Sequence, residues 1–291
     1  MIQERIIVAL FNATWQTIAI TLLVALALRI FARTSASARC AVWTGVLILA
    51  TALPFLDFTG IQSIKAPQAA KVRIQPATSA ASARVRLTAT SWIAAPVKTS
   101  MPAVSIEPQA VRFSLATAVR RIAQGAFYVW LAGMLVFGVR FVYAMSCLVL
   151  AKNAIEPLDT ETLLRGRHMR RAVRLGVSDS VAVPCLLGFF SPVIALPRAV
   201  AIELSGADLQ RVVLHESAHL ERHDDWFNLL EQIALVIFFF NPAMHYIARC
   251  IGMDREIACD DHVIAKSENR LTYAECLTQL ARRCNNRRAL S

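Results

Sequence analysis

The residues best placed to do chemistry in this chain are His215, Glu216 and His219, which lie in Leu214-His215-Glu216-Ser217-Ala218-His219-Leu220 with the spacing H-E-x-x-H. On a helix, residues four apart stand one turn above one another, so both imidazoles can reach a single metal ion. Glu216 then stands beside that ion, where a carboxylate can take a proton from water. The chemistry implied is metal-assisted hydrolysis, with zinc as the expected ion. The competing reading is a polar turn of a surface helix. Against it, Ser205 is placed to cap a helix, with Asp208 three residues later as a relative of the capping-box acid. Leu209, Val212, Val213 and Leu220 follow at helical spacing and give that helix an apolar side. No proline or glycine interrupts residues 207–240, so the helix is expected to continue past the motif.

Two histidines leave a catalytic zinc site one protein ligand short. The stretch Arg255-Glu256-Ile257-Ala258-Cys259-Asp260-Asp261 offers the third. Glu256 and Asp260 are four apart on an expected helix and can face the first motif together. Glu256 would ligate the ion, and Asp260 would hydrogen-bond the free nitrogen of a ligand histidine and fix its tautomer. There are rivals. His223 lies a further turn along the helix, too far for the same ion. Asp225 holds the third-ligand position of H-E-x-x-H-x-x-G-x-x-H enzymes, but Arg222 stands where that pattern requires glycine. Cys259, His245 and His262 are read as structural, with His245 or His262 as candidates to stabilise an oxyanion.

The elements that must position these groups are mostly apolar. Of the 291 residues 56% are hydrophobic and 18% charged, and mean hydropathy is +0.48. That excess falls in discrete runs, as in membrane helices. Ile6–Leu28 is 23 residues without a charge, too long for a signal peptide and lacking a small-residue cleavage site. Cys40–Leu56 is a second run and Ile122–Ala151 a third, the latter broken only by Arg140, which can snorkel. Residues 1–56 are therefore expected to form two spans and residues 122–151 a third. Residues 57–121, rich in Ala, Ser, Pro and Val, read as a flexible loop on the far side. Arg29, Arg33 and Arg39, with the basic residues of 152–175, put those two short segments in the cytoplasm.

The formal charge of +11 fits that flanking role, and no nucleic-acid motif accompanies it. Seven cysteines without a C-x-x-C pair do not suggest a disulfide framework. Residues 152–291 read as a cytoplasm-facing domain. Val181–Leu186 and Val193–Leu196 are expected to be short edge strands, able to pair with an extended peptide. Residues 226–248 are apolar but hold Glu231, Asn241, Pro242 and His245. Their uncharged core, Ile233–Phe240, is too short to cross a bilayer, which suggests a re-entrant hairpin or a helix buried against the spans.

With these residues in place the sequence resembles the BlaR/MecR-type membrane zinc metallopeptidases of β-lactam sensor-transducers. The resemblance rests on H-E-S-A-H-L-E-R-H-D, the F-F-F-N-P run, R-E-I-A-C-D-D, the spaced Pro184, Gly188, Pro192 and Pro197, and Leu271-Thr272-Tyr273-Ala274-Glu275. It covers roughly residues 120–282 and implies His215, His219 and Glu256 as zinc ligands and Glu216 as the catalytic acid. Asp224 matches a further acidic position. The sensors so named continue into another span and an extracellular penicillin-binding domain, which the residues up to Ser291 do not supply.

The expected fold is a mainly α polytopic membrane protein carrying a gluzincin-like α+β zinc metallopeptidase domain. The expected function is a zinc metalloendopeptidase of the bacterial inner membrane, acting in regulation on a cytosolic repressor or on itself. Its expected partners are a protein substrate and the bilayer, without direct contact to nucleic acid; a homodimer is compatible with this. The alternatives are a quality-control metalloprotease of the heat-shock type and a non-enzymatic signalling protein held together by zinc.

Overall fold

The computed structural model describes residues 2–58, 109–158, 170–266 and 270–290. Most of the 57–121 loop and the basic residues Arg165 and Arg167 lie outside the described residues. Among the described residues, three helices are long and apolar enough to cross a membrane: α1 (Ile2–Ile30), α2 (Ala36–Phe58) and α3 (Gln109–Asn153). Each is longer than the apolar run that announced it. The third begins at Gln109, so residues 109–121 are helical where a loop was expected.

Strands β1 (Glu156–Pro157), β2 (Arg174–Ser178), β3 (Cys185–Leu187) and β4 (Val193–Pro197) make one sheet in the order β1-β2-β4-β3. β2 runs parallel to β4, and β1 and β3 are antiparallel to their neighbours. The sequence reading placed a strand at Val181–Leu186. The pairing starts only at Cys185, because Pro184 has no N–H to give to a ladder. All five residues of β4 are buried, as a central strand covered on both faces requires. β3 is the edge.

A short helix α4 (Arg198–Glu203) leads to α5 (Gly206–Glu221), which carries the motif. Ser205 caps α5 as expected: its Oγ accepts from the Asp208 N–H at 3.2 Å. Leu209, Val212 and Val213 pack on Leu175, Ile194 and Leu196 of the sheet. The helix does not continue to residue 240. It stops at Glu221, and His223 adopts a left-handed conformation with φ 60°. The chain then restarts as α6 (Asp224–Ile237), breaks at residues 238–241, and returns as α7 (Pro242–Lys266). The Asn241 side chain caps α7 by accepting from the Ala243 N–H at 3.0 Å, and Pro242 takes the first helical position. The last helix is α8 (Arg270–Leu290).

α7 joins the membrane-length helices to the site. Its first half packs Met244, Ile247 and Ile251 on Cys40, Trp43 and Leu47 of α2. Its second half lies on α5, where Val263 meets Leu214 and, from α8, Tyr273. An Arg39–Asp254 ion pair at 2.7 Å pins the start of α2 to the middle of α7. The α1–α2 turn therefore lies at the level of the motif.

Candidate metal centre

The four-residue spacing on α5 brings His215 Nε2 and His219 Nε2 to 3.3 Å from one another. Glu256, on α7, closes the group: its carboxylate oxygens lie 3.6 Å from His215 Nε2 and 3.9 Å from His219 Nε2. The two remaining imidazole nitrogens are held by acids. His219 Nδ1 is 2.9 Å from Asp224 Oδ2, and His215 Nδ1 is 3.1 Å from Asp260 Oδ1. With the His219 Nδ1–H donating to Asp224 and the His215 Nδ1–H to the Tyr273 hydroxyl, which in turn donates to Asp260, the tautomer with both Nε2 atoms free to accept is the one the partners favour. Neither can then donate to the other, so their lone pairs repel at 3.3 Å unless a cation lies between them. Ligands at about 2.0–2.1 Å and tetrahedral angles would stand about 3.3–3.4 Å apart. The donor set therefore fits a divalent ion.

Glu216 is buried in the wall of the same cavity. Burial pushes its carboxyl above the ordinary glutamate range, against the pull of His219 and His215. Glu256 moves the other way: the His215 imidazole beside it holds it below that range, burial notwithstanding. The two glutamates at the site are thus shifted in opposite directions.

The expected rivals have other occupations. Asp225 makes a two-point pair with Arg171 at 2.9 Å on each oxygen, and Arg171 also donates to the Phe189 carbonyl. His223 is the left-handed link between α5 and α6. His245 is bonded to the Phe239 carbonyl at 2.8 Å, in the turn before α7. His262 lies 3.8 Å from Glu221.

Cys259 is closer to the site than the sequence suggested: its Sγ lies 3.4 Å from His219 Nδ1 and 3.8 Å from Asp224 Oδ2. His219, Asp224 and Cys259 could by spacing hold an ion of their own. However, the His219 nitrogen on that side already serves Asp224. Burial also drives the Cys259 thiol far above its ordinary value. The trio orients His219.

Two groups escaped the sequence reading. The Tyr273 hydroxyl donates to Asp260 Oδ1 at 2.8 Å and sits 3.2 Å from His215 Nδ1, so it clamps that acid onto its histidine. The only prior sign of it was its place in Leu271–Glu275. Arg222 reaches Asp224 Oδ2 at 3.4 Å and Ser37 Oγ at 3.2 Å, linking the start of α2 to the His219 acid.

Two hollows meet at Pro184, His215 and Glu216. One holds the converging ligands and is bounded by Cys185 and Leu186 of β3. The other, about 390 Å³, is apolar and lined by Val183, Val212, Tyr273, Leu277 and Leu280.

Membrane-length apolar helices joined to an H-E-x-x-H helix that faces a carboxylate define a membrane-associated peptidase. The chain belongs to the family described as BlaR1 peptidase M56, whose profile matches residues 8–290. Among curated proteins it is similar to the methicillin resistance mecR1 protein of Staphylococcus aureus, with 27% identity over 110 residues, 37% of this chain and 19% of that one. It is also similar to the regulatory protein BlaR1 of Bacillus licheniformis, with 24% identity over 159 residues, 52% of this chain and 26% of that one. The matched stretches thus span roughly a fifth to a quarter of these relatives' lengths.

Proposed function

We propose that this chain is a polytopic, gluzincin-like zinc metalloendopeptidase whose site faces the cytoplasm of a bacterial inner membrane. The observation that carries this reading is the pair of Nε2 atoms facing each other at 3.3 Å, with Glu256 beside them and an acid near the far nitrogen of each ring. A zinc ion held there would supply positive charge to polarise a peptide carbonyl and to acidify water. Glu216 takes the proton from the attacking water and hands it to the leaving amine nitrogen. Its burial suits it to hold that proton between the two transfers. Asp224 and Asp260 fix the imidazole tautomers, and Cys259 and Tyr273 hold those acids in place.

The peptide lies along the free edge of β3, whose residues Cys185 and Leu186 border the ligand group. A side chain next to the scissile bond enters the apolar hollow beyond Glu216. The substrate is a cytosolic repressor or the chain itself, in keeping with the relatives' description as regulatory proteins.

Comparing the proteomes of cells carrying the wild type and Glu216→Gln tests this. One or two fragments lost in the variant, from one regulator, is the expected result. Loss of many fragments from misfolded membrane proteins would point to quality control. Identical proteomes would leave only a structural use for the ion.

A further inference from the structure

Trp226, Leu230 and Ile233 follow one another at i, i+4 and i+7 on α6 and are 39%, 37% and 42% exposed. The opposite face of α6 buries Asp224 and Glu231. A stripe of that spacing ordinarily faces a core, whereas this one faces out of the chain. At its lower end stands the β3–β4 turn. Gly188, with φ 91°, lets the chain reverse there and puts Phe190 outward, 92% exposed. The rings of Phe190 and Phe189 lie 5.3 and 5.5 Å from that of Trp226.

The position of α3 sets the level of this cluster. None of its most apolar window is buried within the chain, and its length and composition suit it to a bilayer. Its last turn ends in Lys152, whose Nζ crosses Gly188 and donates to Ser191 Oγ at 2.7 Å in the same turn. A lysine ending a span belongs at the headgroups, and aromatic rings favour that boundary. From there α6 runs along α3. At its far end Trp130 Nε1 of α3 donates to the Ile237 carbonyl at 3.1 Å, and Phe137 stacks on Phe239 at 5.0 Å. Gly133 of α3 has no Cβ, which leaves room for the Phe239 ring. The stretch from Phe137 to Lys152 is about 22 Å of helix, and α6 itself is about 21 Å long. α6 therefore rises through more than half of a hydrocarbon layer of about 30 Å before α7 returns.

We propose that the Phe189–Phe190 turn and the Trp226–Leu230–Ile233 stripe form one lipid-facing surface. Its rings sit at the headgroup boundary and its stripe lies against acyl chains. The occupant is phospholipid because the surface continues the exposed apolar face of α3 at Lys152. Positive charge also flanks it, from Lys152 and from exposed Arg170 beside the Arg171 that holds the Phe189 carbonyl. The surface anchors the free edge of β3 at the membrane face, so a polypeptide joining that edge is met at the bilayer surface and not in bulk water.

The test places the photoreactive residue p-benzoylphenylalanine at position 190 or 230 of the full chain, reconstituted in phosphatidylethanolamine–phosphatidylglycerol vesicles. Position 202 is the reference, since Ile202 is an exposed apolar residue on α4 outside this surface. After irradiation, mass spectrometry is expected to find phospholipid adducts at 190 and 230 and none at 202. Absence of lipid adducts at 190 and 230 overturns the proposal, whether the probe couples to a second copy, to another protein or to nothing. The readout needs no catalysis, so it stands or falls apart from the peptidase reading.

Discussion

Asp224 Oδ2 lies 2.9 Å from His219 Nδ1, although the helix carrying His219 has ended between them. Had α5 run on, Asp224 would have followed the helix axis away from that nitrogen. The left-handed His223 turns the chain back and makes Asp224 the first residue of α6. A residue with a Cβ pays about 1–2 kcal/mol for that conformation. His223→Gly is expected to leave stability unchanged or raised, whereas His223→Val should lower it; thermal melts decide. Asp224→Asn should weaken zinc binding by roughly 10–100-fold, read by competition with a chelator.

The clamp on the other histidine has two parts that can be separated. Asp260→Asn should reduce zinc affinity or activity by roughly 10–100-fold, because His215 loses the negative charge behind its ring. Tyr273→Phe keeps the acid and the packing but removes the hydroxyl bond at 2.8 Å. Its effect should have the same sign and be smaller. Equal affinities in Tyr273→Phe and the wild type would remove the hydroxyl from the account.

Asp225 and Glu256 make opposite predictions. Glu256→Ala should empty the site while leaving the fold, since Glu256 is largely exposed. Asp225→Ala should keep one zinc per chain but strand the Arg171 guanidinium in a mostly buried pocket. Breaking such a pair from one side costs about 3–5 kcal/mol. Metal content and melting temperature, measured on both proteins, separate the roles. A zinc-free Asp225→Ala beside a loaded Glu256→Ala would reverse the assignment.

What the sequence made legible was local. Ser205 with Asp208 and the four-residue steps from His215 to His219 and from Glu256 to Asp260 each depend on neighbours within a turn. β2 was not legible, because Arg174–Ser178 gains its place by parallel pairing with a strand nineteen residues on. The break at His223 carried no glycine to announce it. Tyr273 meets His215 from 58 residues away, through the packing of α8 on α5, and no spacing rule spans that distance.

The apolar hollow beyond Glu216 should set a side-chain preference. Ala281 lines it, and Ala281→Phe would fill part of its roughly 390 Å³. Peptides with a bulky apolar residue beside the cleaved bond should lose about 10–100-fold in kcat/KM, while peptides with alanine there change little. A uniform loss across both peptide sets would place the hollow outside the substrate path.

The account rests on His215, His219 and Glu256 converging on one ion, and X-ray absorption at the zinc edge of the purified chain reads that directly. The expected spectrum has two imidazole nitrogens at about 2.0–2.1 Å, oxygen ligands filling the remaining positions, and no sulfur. It should be retained in Glu216→Gln, in which peptide cleavage is lost. A sulfur shell at about 2.3 Å would bring Cys259 into the coordination sphere and contradict the assignment. So would a spectrum that Glu256→Ala leaves unchanged.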